Sequence, residues 1–90
     1  MGLRMKLNRL LEEQFHEKRG ILERVDYVWA EKVHIEGKPI QKGSLFFSVN
    51  KAGGGGWAFL GRHFNSIQGA RKEARKYCND KAAEILGANP

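Results

Sequence analysis

Cysteine, long apolar runs and, over the middle of the chain, acidic residues are what this sequence has little of. A single cysteine, Cys78, has no partner for an internal disulfide. That argues against a disulfide-stapled secreted mini-protein and for a reducing, intracellular setting, cytoplasm or nucleus. No apolar stretch approaches the roughly 20 residues that cross a bilayer. Arg4, Lys6 and Arg9 interrupt the N-terminal leucines, so a soluble, unexported chain with no membrane partner is expected. Metal-ligand spacing is missing too: there is no C-x-x-C, no H-x-x-x-H and no carboxylate cluster. His16, His34 and His63 fall on separate segments, and Cys78 sits at a core-facing position, so neither a catalytic constellation nor a cofactor site is expected.

What is present is a basic globular domain. At 90 residues, 41% apolar and 29% charged, a single domain spanning residues 1–90 is expected. The net charge of +6 is localised: residues 37–76 hold eight basic side chains against the single acid Glu73. Excess positive charge of this density attracts polyphosphates, because each neutralised phosphate releases condensed counterions.

Periodicity gives the elements. Leu3, Leu7, Leu10, Leu11 and Phe15 are spaced by threes and fours and predict an amphipathic helix, with Lys18-Arg19-Gly20 as its basic, glycine-terminated end. On that helix Glu12 and Glu13 point to different sides and form no acid–base pair. Val25, Tyr27, Trp29, Val33 and Ile35 alternate as in a strand, with a bend expected near Ala30. A long basic loop over residues 36–43 follows, and Leu45, Phe47 and Val49 then make a second strand with Phe46 on its outer face. The run Gly53-Gly54-Gly55-Gly56 reads as a mobile hairpin tip, since no lysine, serine or helix start follows it as a phosphate loop requires. Trp57-Ala58-Phe59-Leu60 returns as a third strand. Asn65 and Ser66 cap a last helix that Gly87 stops, with Ala70, Ala74, Cys78 and Ala82 as a small-sided apolar face. Arg71, Lys72, Arg75 and Lys76 crowd its first half. Cations there oppose the helix dipole, so an external anion is expected to compensate them.

The expected architecture is therefore α+β, in the order α-β-β-β-α, with both helices on one face of a three-stranded antiparallel sheet. Four segments resemble the double-stranded-RNA-binding domain in register. Arg71-Lys72-Glu73-Ala74-Arg75, continuing to Ala82, Ile85 and Leu86, resembles the family's second helix with its KKxAK opening. Leu11, Phe15 and Lys18-Arg19-Gly20 resemble the end of its first helix. Gly37-Lys38-Pro39-Ile40-Gln41 is similar to its GPxH loop, and Leu45-Phe46-Phe47-Ser48-Val49 to its second strand. The resemblance implies recognition of duplex RNA by shape, without catalysis. Glu13 and Gln14 would meet 2′-hydroxyls, the loop carrying Lys38, Pro39, Gln41 and Lys42 would enter the next minor groove, and Arg71, Lys72, Arg75 and Lys76 would lie along the phosphates.

Two alternatives stay open. Phe59-Leu60-Gly61 with Phe64, Ala74, Tyr77 and Ala82-Ala83 is similar to three-stranded-sheet DNA-binding domains of the ethylene-response and integrase arm-binding type. That likeness implies a sheet laid in the major groove of duplex DNA through Trp29, Lys32, Lys42, Phe46 and Arg62. The second alternative is a protein-interaction or dimerisation module that uses an exposed sheet face or edge.

Overall fold

The computed structural model describes residues 10–87. Strands β1 (Leu11–Lys18), β2 (Ile21–Trp29), β3 (Val33–Ile35), β4 (Lys38–Ile40), β5 (Leu45–Lys51), β6 (Trp57–Phe59) and β7 (Arg62–Phe64) precede a single described helix, α1 (Ile67–Ile85). Five strands form an antiparallel meander in the order β1-β2-β5-β6-β7, and β3 pairs with β4 in a separate hairpin. This overturns the expected α-β-β-β-α order with a three-stranded sheet and two helices. Residues 11–18, expected at the end of a first helix, are an edge strand; the part of that expectation on residues 3–9 lies outside the described residues.

The strands are where they are because three two-residue turns place them. Arg19-Gly20, Glu36-Gly37 and Leu60-Gly61 each have positive φ at both positions, 55° and 76°, 52° and 79°, and 50° and 77°. These are type I′ values, whose twist matches that of a hairpin, and glycine at the second position carries the left-handed backbone without strain. They are closed by the pairs Lys18–Ile21, Ile35–Lys38 and Phe59–Arg62. The segment expected as a loop over 36–43 thus contains the turn and the second strand of a hairpin. Arg19-Gly20, expected as a helix stop, is a hairpin turn.

One face of the sheet makes the core. Leu11, Val25, Tyr27, Trp29, Val49 and Phe59 pack with Ala70, Ala74, Cys78 and Ala82 of α1, and Val33, Ile35 and Ile40 of the β3–β4 hairpin join them. The alanine and cysteine stripe lets α1 approach the sheet closely, and aromatic rings fill the space beside it, with Tyr77 edge-on to Phe47 at 5.5 Å and to Phe59 at 5.7 Å. A bulge gives β5 an extra residue, Phe46, between the pairs Tyr27–Phe47 and Val28–Leu45. Phe46 therefore packs edge-on against Trp29 at 5.1 Å and against Phe47 at 5.0 Å, on the core side and not on the outer face. Burial pushes the Cys78 thiol up to about 12, which keeps it protonated and inert at neutral pH.

Helix α1 is bounded as its sequence indicates. The Ser66 hydroxyl accepts from the Gly69 N–H at 3.2 Å, and Gly87 at φ 65° follows the last turn, its N–H donating to the Glu84 carbonyl at 3.1 Å. Among the described residues no helix is long and apolar enough to cross a membrane.

The glycine run is tied down. Ala52 donates to the Gly56 carbonyl at 3.0 Å and Gly55 to the Ala52 carbonyl at 3.2 Å. The Nε2 of His63 lies 3.0 Å from the Gly55 carbonyl; a carbonyl only accepts, so this nitrogen carries the proton. Gly56 has φ 81°, and a Cβ there meets the His63 ring and comes 2.6 Å from the Phe64 carbonyl. Gly56→Ala is expected to destabilise the fold by about 2 kcal/mol. Gly53→Ala, where a Cβ meets nothing within 4 Å, should change it by less than about 0.5 kcal/mol. Denaturant unfolding of both variants checks this, with a lower midpoint for the first alone.

Candidate nucleic-acid interface

In a strand, adjacent side chains point to opposite faces. Glu13 and Gln14, expected together on the solvent side of a helix, are therefore separated: Gln14 is exposed on the sheet face away from α1, and Glu13 points under α1. There the Glu13 carboxylate accepts from Arg71 at both oxygens, Nε to Oε2 and Nη2 to Oε1, each 2.9 Å. The Tyr27 hydroxyl donates to Oε2 at 2.7 Å, and Arg75 Nη1 stands 3.6 Å from the same oxygen. Arg71 also lies over the Phe15 ring, 4.8 Å from its centroid.

This arrangement supplies from inside one anion where the sequence pointed to an external one. Burial alone raises the Glu13 carboxyl, but the Arg71 and Tyr27 hydrogen bonds and the charges of Arg71 and Arg75 outweigh it and hold it below its ordinary 4.5. Burial and the bond to Glu13 raise the Tyr27 phenol, and the same carboxylate raises the Arg71 guanidinium. Arg71 and Arg75 are thus both turned toward Glu13 and remain partly exposed, at 30% and 22% of their side chains, while Lys72 and Lys76 are exposed on the outer side of α1.

The remaining expected residues gather on the β3–β4 hairpin. Val33, Ile35 and Ile40 turn to the core, leaving His34 and Pro39 as an exposed cross-strand pair with Lys38 beside the turn. Lys32 precedes the hairpin, and Gln41 and Lys42 follow it, all exposed. Among the described residues Lys32, Lys38 and Lys42 have no ion-pair partner, as is also true of Lys18, Arg19, Lys72 and Lys76, whereas Arg24, Lys51, Arg62, Arg71, Arg75 and Lys81 all have one. The ten residues singled out from sequence therefore fall in four places: the arm (Lys38, Pro39, Gln41, Lys42), the inner cluster (Glu13, Arg71, Arg75), the outer side of α1 (Lys72, Lys76) and the open sheet face (Gln14).

The contacts expected for a sheet laid in a groove are not together on the open face. Trp29 is 2% exposed, Phe46 is packed on it, and Arg62 lies on the helix side, 3.1 Å from Glu73 and over the Phe64 ring. The open face instead carries a network the sequence did not reveal. Asp26 accepts from Ser48 at 2.6 Å and from Arg24 at 2.8 Å, and His16 Nε2 stands 2.8 Å from its other oxygen, off the hydrogen-bonding direction. Burial tends to raise Asp26, yet Ser48, Arg24 and His16 together keep it below 3.8. Cross-strand pairing of Gln14 with Asp26 and of Asp26 with Ser48 fixes these neighbours, a register invisible while residue 13 is read as helical. Among the described residues no three His, Cys, Asp or Glu side chains converge as metal ligands. No protein-family model, curated protein or solved structure matches the chain.

Both carboxyls are held below their ordinary values, so the stability they contribute is present at neutral pH and lost as pH falls through the ordinary range into the lower folded values. Glu13→Gln should lower stability at pH 7 by about 3 kcal/mol, because two guanidiniums lose their counter-charge. It should also flatten the fall in stability below about pH 5. Thermal unfolding of both proteins across a pH series reads both effects.

Proposed function

We propose that this chain is a non-catalytic module that binds duplex nucleic acid by placing its β3–β4 arm in a groove. The observation that carries the reading is an ordered hairpin, docked by Val33, Ile35 and Ile40, that shows His34 and Pro39 on its outer face and has Lys32, Lys38 and Lys42 on or beside it, exposed and, among the described residues, without ion-pair partners. A two-stranded ribbon fits the major groove of B-form DNA, whereas the major groove of A-form RNA is too deep and narrow for side chains to read. Duplex DNA is accordingly the preferred ligand, with the three lysines on phosphates and His34 and Gln41 toward base edges. The expected role of Arg71 and Arg75 along the phosphates is not part of this proposal, since Glu13 engages both. Net charge supports the reading in a general way: the excess of +6 speeds encounter with a polyanion whichever surface makes contact.

A titration of the chain against a short DNA duplex, the RNA duplex of the same sequence and single-stranded RNA, over a salt series, tests this. The expected result is a preference for duplex DNA that weakens with salt. In the Lys32→Ala, Lys38→Ala, Lys42→Ala variant the slope of log affinity against log salt should fall by about 3. Lys72→Ala with Lys76→Ala should leave the affinity nearly unchanged. Preference for the RNA duplex would overturn the groove assignment, and the absence of salt-sensitive binding would overturn the function.

A further inference from the structure

The two edges of the main sheet are unequal. β7 is three residues long, too short to template another strand, but β1 runs for eight residues without proline. Natural edge strands of that length are usually blunted by a bulge, a proline or an inward charge; β1 has an inward charge in Glu13, but Arg71 already pairs with it. Here the bulge beside β1 belongs to its neighbour: between His16–Arg24 and Glu17–Leu22 the unpaired extra residue is Glu23 of β2. β1 is left regular. The Ala30 N–H donates to the Leu10 carbonyl, which sets the even-numbered residues of β1 as those bonded to β2 and turns the backbone groups of Glu13, Phe15 and Glu17 outward. Among the described residues nothing pairs with them.

We propose that two copies of the chain associate through antiparallel pairing of β1 with β1, the twofold axis passing through Phe15, to give a continuous ten-stranded sheet. The charge pattern selects a second copy and this register. Phe15 faces its own equivalent, which offers an aromatic cross-strand pair to a side chain that is 48% exposed in the single chain. Gln14 faces His16, and Glu12 faces Lys18. Glu17 arrives opposite Glu13, where one carboxylate already holds two guanidiniums, so the incoming carboxylate meets the net positive charge of Arg71 and Arg75. Every contact occurs twice because the interface is self-complementary.

The inference is independent of nucleic-acid binding, since β1 contributes none of the arm residues which that reading uses. Sedimentation equilibrium over a concentration series tests it, with circular dichroism to confirm folding. The wild-type chain should reach twice its 10.2 kDa mass. Glu12→Lys and Lys18→Glu, each placing like charges face to face twice, should weaken the dimer about tenfold, and the double variant should restore it. Phe15→Pro, which removes an outward N–H together with the ring at the twofold axis, should abolish it. A monomer at every concentration, or a dimer indifferent to all four variants, would overturn the proposal.

Discussion

A single partly buried carboxylate organises this protein. Glu13 lies on the edge strand of the sheet and takes both branches of the Arg71 guanidinium from the helix, together with the Tyr27 hydroxyl from the next strand. It links three elements that are 14 and 58 residues apart. A carboxylate taken out of water is costly unless its lone pairs are filled by donors of opposite charge, and here a bidentate arginine, a phenol and a second guanidinium fill them. The alanine stripe of α1 brings the helix close to the sheet, but small side chains specify little about its rotation. The Glu13–Arg71 pair does that, because only one setting of α1 presents both Arg71 and Arg75 to the same carboxylate while Tyr77 lies on Phe47 and Phe59.

The same interaction explains what the sequence did and did not reveal. Leu11 and Phe15 are four apart, a spacing that places them on one side of a helix and equally on one side of a strand. The position that separates the two periods is 13, inward in a strand and outward in a helix, and an acidic residue there reads as solvent-facing. Its partners lie far along the chain, so the local pattern points to the wrong element. Arg19-Gly20 adds to the ambiguity, since a left-handed glycine ends a helix and also completes a type I′ turn. The three-residue strands of the arm are too short for alternation to register, and Glu36-Gly37 was the signal that would have found them. Where the local code is unambiguous, as in the strands around Val25–Trp29 and Leu45–Val49 and in the Ser66-capped helix ended by Gly87, the elements lie close to where periodicity and capping put them.

Function follows the same redistribution. In the sequence the basic cluster on the last helix is the densest positive feature and the natural place for phosphate. In the fold two of its four cations share Glu13, which offsets one of their two charges, and Arg62, Arg24 and Lys51 have acidic neighbours as well. Among the described residues the cations left exposed and outside ion pairs are Lys18 and Arg19 at the first hairpin turn, Lys72 and Lys76 on the outer side of α1, and Lys32, Lys38 and Lys42, which alone cluster about a small hairpin that the core holds by one face. A count of charges along a chain measures attraction to a polyanion at a distance; which side chains make contact depends on which charges the fold has already paired.

The central claim, that Glu13 and Arg71 act as a unit in seating the helix, is tested most directly by a double-mutant cycle. Glu13→Gln, Arg71→Met and the double variant are unfolded in denaturant at neutral pH. A coupling of about 2 to 3 kcal/mol, with the double variant more stable than the sum of the single losses indicates, is the result this account predicts. Additive losses, with coupling below about 0.5 kcal/mol, would contradict it.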